Sequence, residues 1–184
     1  MYTFDIFVQN YFSLTRTPVL TDIVYIITSL FDASIHFILI VLCITGLIYL
    51  VRNLRYALLF FTVLFFGAVI VYTLKNIFDV ARPLDGFVSV FGSSFPSYHA
   101  TSATIFFVML MHVFDSHFKS FGRIVCNIFC VTSILLVAFS RVYLGVHWLS
   151  DVLFGIILGV LISYIAVVIF KFIINSWDRR LKAR

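Results

Sequence analysis

Apolar residues run along this chain in long stretches separated by short polar clusters. Five stretches stand out: Ile35 to Val51; Tyr56 to about Thr73, continuing towards Arg82; Ala100 to Phe114, longer if it begins near Pro96; Ile124 to Phe139; and Val152 to Ile174. A bilayer-spanning helix needs roughly 17–25 mainly apolar residues, so each stretch predicts one span. Residues 1–34 follow no such rule. Ile23 to Phe31 is apolar but short, and Asp22 and Asp32 bracket it. This predicts a helix lying in the membrane interface, with an imperfect sixth span as the alternative. The expected fold is therefore all-α: an integral membrane helical bundle of five or six transmembrane helices in one domain. Residues 1–34 form its N-terminal segment, 35–174 the bundle and 175–184 a basic cytoplasmic tail.

Composition supports the bilayer as solvent. Apolar types make up 62% of the 184 residues and charged types 11%, against roughly 45–50% and about 25% in an ordinary soluble domain. The N-terminus carries Asp5, with no basic start and no small-residue cleavage site, and does not read as a cleavable signal. The formal charge is +5, but the cations sit in short clusters between apolar runs, which points to membrane topology and not to nucleic acid. With five spans, Arg52, Arg55, Lys119, Arg123, Lys171, Arg179, Arg180, Lys182 and Arg184 fall on one side, and Arg16, Lys75, Arg82 and Arg141 on the other. The positive-inside rule assigns the first group to the cytoplasm. The loop at 83–99 and the turn near 142–150 then face the periplasm or exterior of a bacterial inner membrane. Cys43, Cys126 and Cys130 all lie within apolar runs and read as buried packing residues.

The polar residues on that outer side form three clusters. In the first, Lys75 and Arg82 are seven residues apart, two helical turns, so both project from one helix face. Pro83 ends that helix, and Asp79 on the same face can pair with either cation. The second is Phe95-Pro96-Ser97-Tyr98-His99, ahead of an apolar run. Pro suits a helix start, and a helix start offers free N–H groups and a positive dipole end to a phosphate. Ser97 adds a hydroxyl donor and His99 a proton donor. The third runs from Ser140-Arg141 to His147 and Asp151. His147 and Asp151 meet if the last helix begins near His147. A carboxylate on one ring nitrogen leaves the other free to attack, and Arg141 presents a planar fork to phosphate oxygens. Singly, these clusters also fit snorkelling cations, a helix cap and an interfacial histidine. Together they place three cations, two histidines, a serine and a carboxylate at one membrane face. His36, His112 and His117 read as interfacial or packing residues.

On these motifs the sequence resembles the type 2 phosphatidic acid phosphatase family, whose pattern is Lys, six residues, Arg-Pro; Pro-Ser-Gly-His; and Ser-Arg, five residues, His, three residues, Asp. Here these are Lys75 to Arg82-Pro83, Pro96 to His99, and Ser140-Arg141 to His147 and Asp151. Tyr98 stands where the family has Gly, whose absent side chain lets backbone approach phosphate closely. The resemblance implies catalytic roles for His147, His99 and Asp151. His147 is the expected nucleophile, Asp151 its orienting partner, and His99 the acid for the leaving group and then the base for water. Phosphate would be held by Lys75, Arg82, Ser97, Arg141 and the Tyr98 backbone N–H. Ser140 belongs to the motif with no defined role, and Asp79 and Asp85 are nearby non-motif residues.

The implied activity is metal-independent lipid phosphatase, with no cofactor and no metal ligands. The implied partners are a phosphorylated membrane lipid and the bilayer. Undecaprenyl pyrophosphate, phosphatidylglycerophosphate or phosphatidic acid, and the lipid A 1-phosphate are the candidate substrates. The alternatives are a lipid phosphotransferase and a non-catalytic lipid binder or transporter.

Overall fold

The computed structural model describes residues 2–32, 34–84, 86–88 and 91–182; Asp85 and Arg184 lie outside the described residues. Among the described residues there are seven helices and no strand: α1 (Tyr2–Thr15), α2 (Pro18–Ser29), α3 (Ile35–Val51), α4 (Leu54–Phe78), α5 (Tyr98–Phe114), α6 (Ser120–Tyr143) and α7 (Leu149–Lys182).

By length and hydropathy α4, α6 and the Leu149–Ser176 part of α7 suffice to cross a membrane, and α2, α3 and α5 are shorter apolar helices. At 1.5 Å per residue the 17 residues of α3 and of α5 reach only about 25 Å. The α5 helix lies at the centre, packed against α4, α6 and α7. Its buried face carries Ala100, Ala103, Ile105, Phe106 and Met109, with Thr101 and Thr104 returning their hydroxyls to carbonyls one turn back. The outward faces of α4, α6 and α7 are apolar instead, with Phe65, Phe66, Ile128, Phe129, Leu135 and Ile165 exposed, as expected where lipid replaces water.

Two glycines one turn apart set the distance between α5 and α7. A Cβ on Gly155 would meet Thr101 Oγ1 at 3.0 Å and Ser97 O at 3.1 Å. One on Gly159 would meet Thr104 Cβ at 2.7 Å and Thr101 O at 2.9 Å. Small residues at this spacing let membrane helices approach backbone to backbone. The approach brings the start of α5 against the start of α7, where Ser97 N–H donates to Asp151 O at 3.3 Å.

The N-terminal segment differs from the single interfacial helix expected. It forms two helices, broken where Pro18 restricts Thr17 to an extended conformation. Both dock on the end of the bundle that carries the motifs. Arg16 Nε donates to Tyr143 O at 2.8 Å, and the Tyr143 hydroxyl lies 3.2 Å from Thr21 Oγ1. At the opposite end, the Tyr56 ring packs on His112 and Phe170. Of the cysteines only Cys130 is buried; Cys126 is half-buried, and Cys43 sits on the exposed face of α3, because an apolar run in a membrane helix includes its lipid-facing side.

Candidate active site

The α4 helix stops at Phe78, earlier than the run towards Arg82 suggested. Asp79 takes a left-handed conformation (φ 38°), which a short polar side chain tolerates better than most. Arg82 therefore lies in the following loop and does not share a helix face with Lys75. The two cations still converge, because the 92–94 segment folds back between them. Lys75 Nζ donates to Ser93 O at 2.6 Å, and Arg82 donates to Gly92 O at 2.9 Å and Ser93 O at 3.1 Å. Asp79 makes no ion pair among the described residues; its N–H closes the helix onto Lys75 O. It lines the cleft beside Lys75 and Arg82.

Ser97 caps α5, accepting from Ala100 N–H at 3.4 Å, so its own proton remains available. The first turn of α5 then presents Tyr98 and His99, the Tyr98 ring edge-on to the His99 imidazole. Arg141 ends α6. Its Nη1 donates to Thr28 Oγ1 at 2.8 Å, while its buried Nε has no acceptor among the described residues. An unmatched donor on a 5% exposed guanidinium is costly unless an anion completes it. Ser140 Oγ returns to Val137 O, a local bond that takes it out of the cleft.

His147 and Asp151 meet, but not through one helix. The α7 helix starts at Leu149, and His147 lies in the turn before it, shaped by Gly145 at φ 69°. In the first turn of α7 Asp151 Oδ2 accepts the Trp148 N–H at 3.0 Å, and Asp5 of α1 accepts the Ser150 N–H at 2.9 Å. These carboxylates satisfy N–H groups that a helix start leaves unpaired. His147 Nδ1 is 3.7 Å from Asp151 Oδ2, and Ser94 stands between them. Ser94 Oγ is 3.3 Å from Nδ1 and 2.5 Å from Asp151 Oδ2.

On the other side of the ring, Arg82 Nη1 is 3.4 Å from Nε2. Arginine only donates, so Nε2 must offer its lone pair and the proton sits on Nδ1. The Nδ1–H then donates to Ser94, whose hydroxyl donates to Asp151. Burial, with Arg141, Arg82 and Lys75 nearby, holds His147 well below the usual histidine pKa. The ring is thus neutral near pH 7, with the unprotonated Nε2 beside Arg82.

All the motif residues named from sequence lie at this one end of the bundle. Sequence reasoning did not identify Ser94, Asp5, Thr28 or Asp32; Asp32 Oδ1 lies 2.6 Å from His99 Nε2. The four small residues Gly92, Ser93, Ser94 and Ser97 around Phe95-Pro96 were the one visible signal for the folded-back segment.

Comparison with known proteins agrees with the helical membrane fold. The chain is 28% identical over 172 residues to phosphatidylglycerophosphatase B of Bacillus subtilis (strain 168), covering 92% of this chain and 80% of that protein. It superposes with a TM-score of 0.83 on the transmembrane PAP2-type phosphatidylglycerolphosphate phosphatase from Bacillus subtilis, at 26% identity over 97% of this chain and 86% of the other. Aquifex aeolicus LpxE shares the fold, with a TM-score of 0.72 at 18% identity, 88% of this chain and 93% of that one being covered. The PAP2 superfamily profile matches residues 56–174, a span that contains Lys75, Arg82, Ser97, His99, Arg141, His147 and Asp151, and the chain belongs to the PAP2 superfamily.

Proposed function

We propose that His147 carries a phosphoryl group between a membrane lipid and water, at the face of the membrane opposite the basic loops. The chain is a membrane lipid phosphatase. The observation that carries the proposed mechanism is the placement of the His147 ring: buried, with Nε2 3.4 Å from Arg82 Nη1 and Nδ1 3.3 Å from Ser94 Oγ.

Nε2 attacks phosphorus, a P–N bond forms and the P–O bond to the lipid breaks. His99 gives the leaving oxygen its proton. The imidazolium character on His147 is balanced through Ser94 by Asp151. In the second half His99 takes a proton from water as the water attacks phosphorus, the P–N bond breaks, and inorganic phosphate leaves. Lys75, Arg82 and Arg141, with the Ser97 hydroxyl and the N–H groups at the start of α5, stabilise the charge spread over the three non-bridging oxygens. Fixed side-chain charges supply that stabilisation, so the proposed reaction needs no divalent cation.

The names of the two Bacillus subtilis relatives favour a glycerophospholipid phosphate monoester, phosphatidylglycerophosphate first, over undecaprenyl pyrophosphate. A site at head-group depth between apolar helices suits such a lipid. Phosphate release by the purified protein in EDTA, across phosphatidylglycerophosphate, phosphatidate and undecaprenyl pyrophosphate, tests the reading. Highest kcat/KM on phosphatidylglycerophosphate supports it. Activity that appears only with added Mg²⁺ contradicts the mechanism, and preference for the pyrophosphate overturns the substrate.

A further inference from the structure

His99 is asked to give a proton to an alkoxide and then to take one from water. Both steps need an imidazole that becomes imidazolium without leaving its place. The surroundings oppose that: His99 is buried, and with Lys75 and Arg141 nearby each additional positive charge there is unfavourable. One carboxylate faces the same ring. Asp32, between α2 and α3, places Oδ1 at 2.6 Å from His99 Nε2.

This contact is not a loose surface pair. Phe31, the residue before Asp32, is buried in an aromatic cluster with Phe37 of α3 and Phe106 and Phe107 of α5, with ring centroids 5.5, 5.9 and 5.7 Å away. The turn is closed by Asp32 N–H to Ser29 O and Ser34 N–H to Asp32 O. One turn upstream Thr28 accepts from Arg141. The carboxylate is therefore anchored to α5 and α6, the helices that carry His99 and Arg141, while its half-buried side chain stays within reach of water.

We propose that Asp32 is the positioning and charge-balancing partner of His99, which makes the N-terminal helical pair part of the acid–base apparatus. The inference rests on the reading of His99 given above. A hydrogen bond from Nε2 to Asp32 fixes the ring and assigns Nδ1 to the leaving oxygen and then to water. The carboxylate stabilises the imidazolium required before leaving-group protonation and formed again on water activation. Asp32 lies outside residues 56–174, the part of the chain matched to the family, so the motifs do not report it. The hydrogen bond from His99 in turn holds the Asp32 carboxyl below its ordinary range.

The test uses the purified full chain with Asp32→Asn, Asp32→Glu and His99→Ala, comparing dioleoyl phosphatidate with 4-nitrophenyl phosphate across pH. A general acid matters for an alkoxide leaving group and far less for a nitrophenolate. Asp32→Asn is expected to move the basic limb of kcat/KM for phosphatidate down by about one pH unit. It is also expected to lower kcat/KM for phosphatidate above neutral pH at least about tenfold while costing kcat/KM for the aryl ester much less. Asp32→Glu should restore the limb in part. Limb position and substrate ratio do not depend on the folded fraction, so a partly unfolded variant still answers. Asp32→Asn losses equal at every pH and on both esters, or no loss, overturn the inference. If instead His99→Ala lowers kcat/KM equally for both esters, it is the reading of His99 as acid that fails, since kcat/KM reports the steps through leaving-group departure and not the shared water step.

Discussion

Replacing Ser94 with Ala removes one hydroxyl from between His147, the proposed nucleophile, and Asp151. Ser94 Oγ is 3.3 Å from His147 Nδ1 and 2.5 Å from Asp151 Oδ2, while the two ends are 3.7 Å apart directly. At 3.7 Å no hydrogen bond joins them. Without the hydroxyl, His147 loses the acceptor that fixes its tautomer, and Asp151 loses its short donor. A hydrogen bond to a charged group contributes about 1.5–3 kcal/mol, and each 1.4 kcal/mol or so is tenfold in rate. The expected fall in kcat is therefore about 10-fold to 150-fold. The low end applies if the ring and carboxylate close the gap and bond directly.

Ser94 Oγ is engaged with His147 and Asp151 and is not one of the proposed phosphate-holding groups, so KM should change little. Rapid-quench measurement of lipid dephosphorylation in a single turnover isolates the attack step. Ser94→Ala combined with Asp151→Asn should cost less than the product of the two single effects, because both act through one chain of hydrogen bonds. Wild-type single-turnover rates in Ser94→Ala, or a loss confined to KM, would refute the relay.

Gly159→Leu places a side chain where a Cβ alone meets Thr104 Cβ at 2.7 Å and Thr101 O at 2.9 Å. Forcing α5 and α7 apart should cost about 1–3 kcal/mol and lower activity by displacing Ser97 and His99. Thermal unfolding in detergent and phosphate release check this; an unchanged melting temperature and rate would contradict it. His147 also predicts the pH dependence of stability. Burial keeps the folded ring neutral, while the unfolded ring takes up a proton as pH falls through the ordinary histidine value of about 6.5. Stability is therefore lost below that pH, with a slope for this group of about 1.4 kcal/mol per pH unit. His147→Gln should flatten the wild-type decline between about pH 6 and pH 5 by roughly that amount, and parallel curves would count against a buried neutral ring.

The elements that obey one strong rule were legible in the sequence. Ile35 to Val51 is bounded by Ser34 and Arg52 and is α3 residue for residue, since apolar length alone fixes a membrane helix. The motif residues were found because phosphate chemistry needs cations and histidines that a bilayer otherwise excludes. What was hidden depends on tertiary approach. Arg82 was assigned to a helix that Asp79 ends early, because a left-handed residue leaves no periodic trace. Ser94 and Asp32 are ordinary loop residues until the chain folds, and Asp32 is 67 positions from His99. The N-terminal helices are too short to read as spans, yet Asp5, Thr28 and Asp32 each hold a residue of the motif-bearing end.

The most direct test of the central claim is to look for the covalent intermediate on His147. Wild type and His147→Ala are mixed with lipid carrying labelled phosphate, quenched in alkali and digested. The expected result is wild-type label on the His147 peptide, stable in alkali and lost in acid as a phosphohistidine is, with neither label nor phosphate release in the variant. Phosphate release by His147→Ala at the wild-type rate, or turnover in wild type with no labelled His147 at any time, would contradict the account.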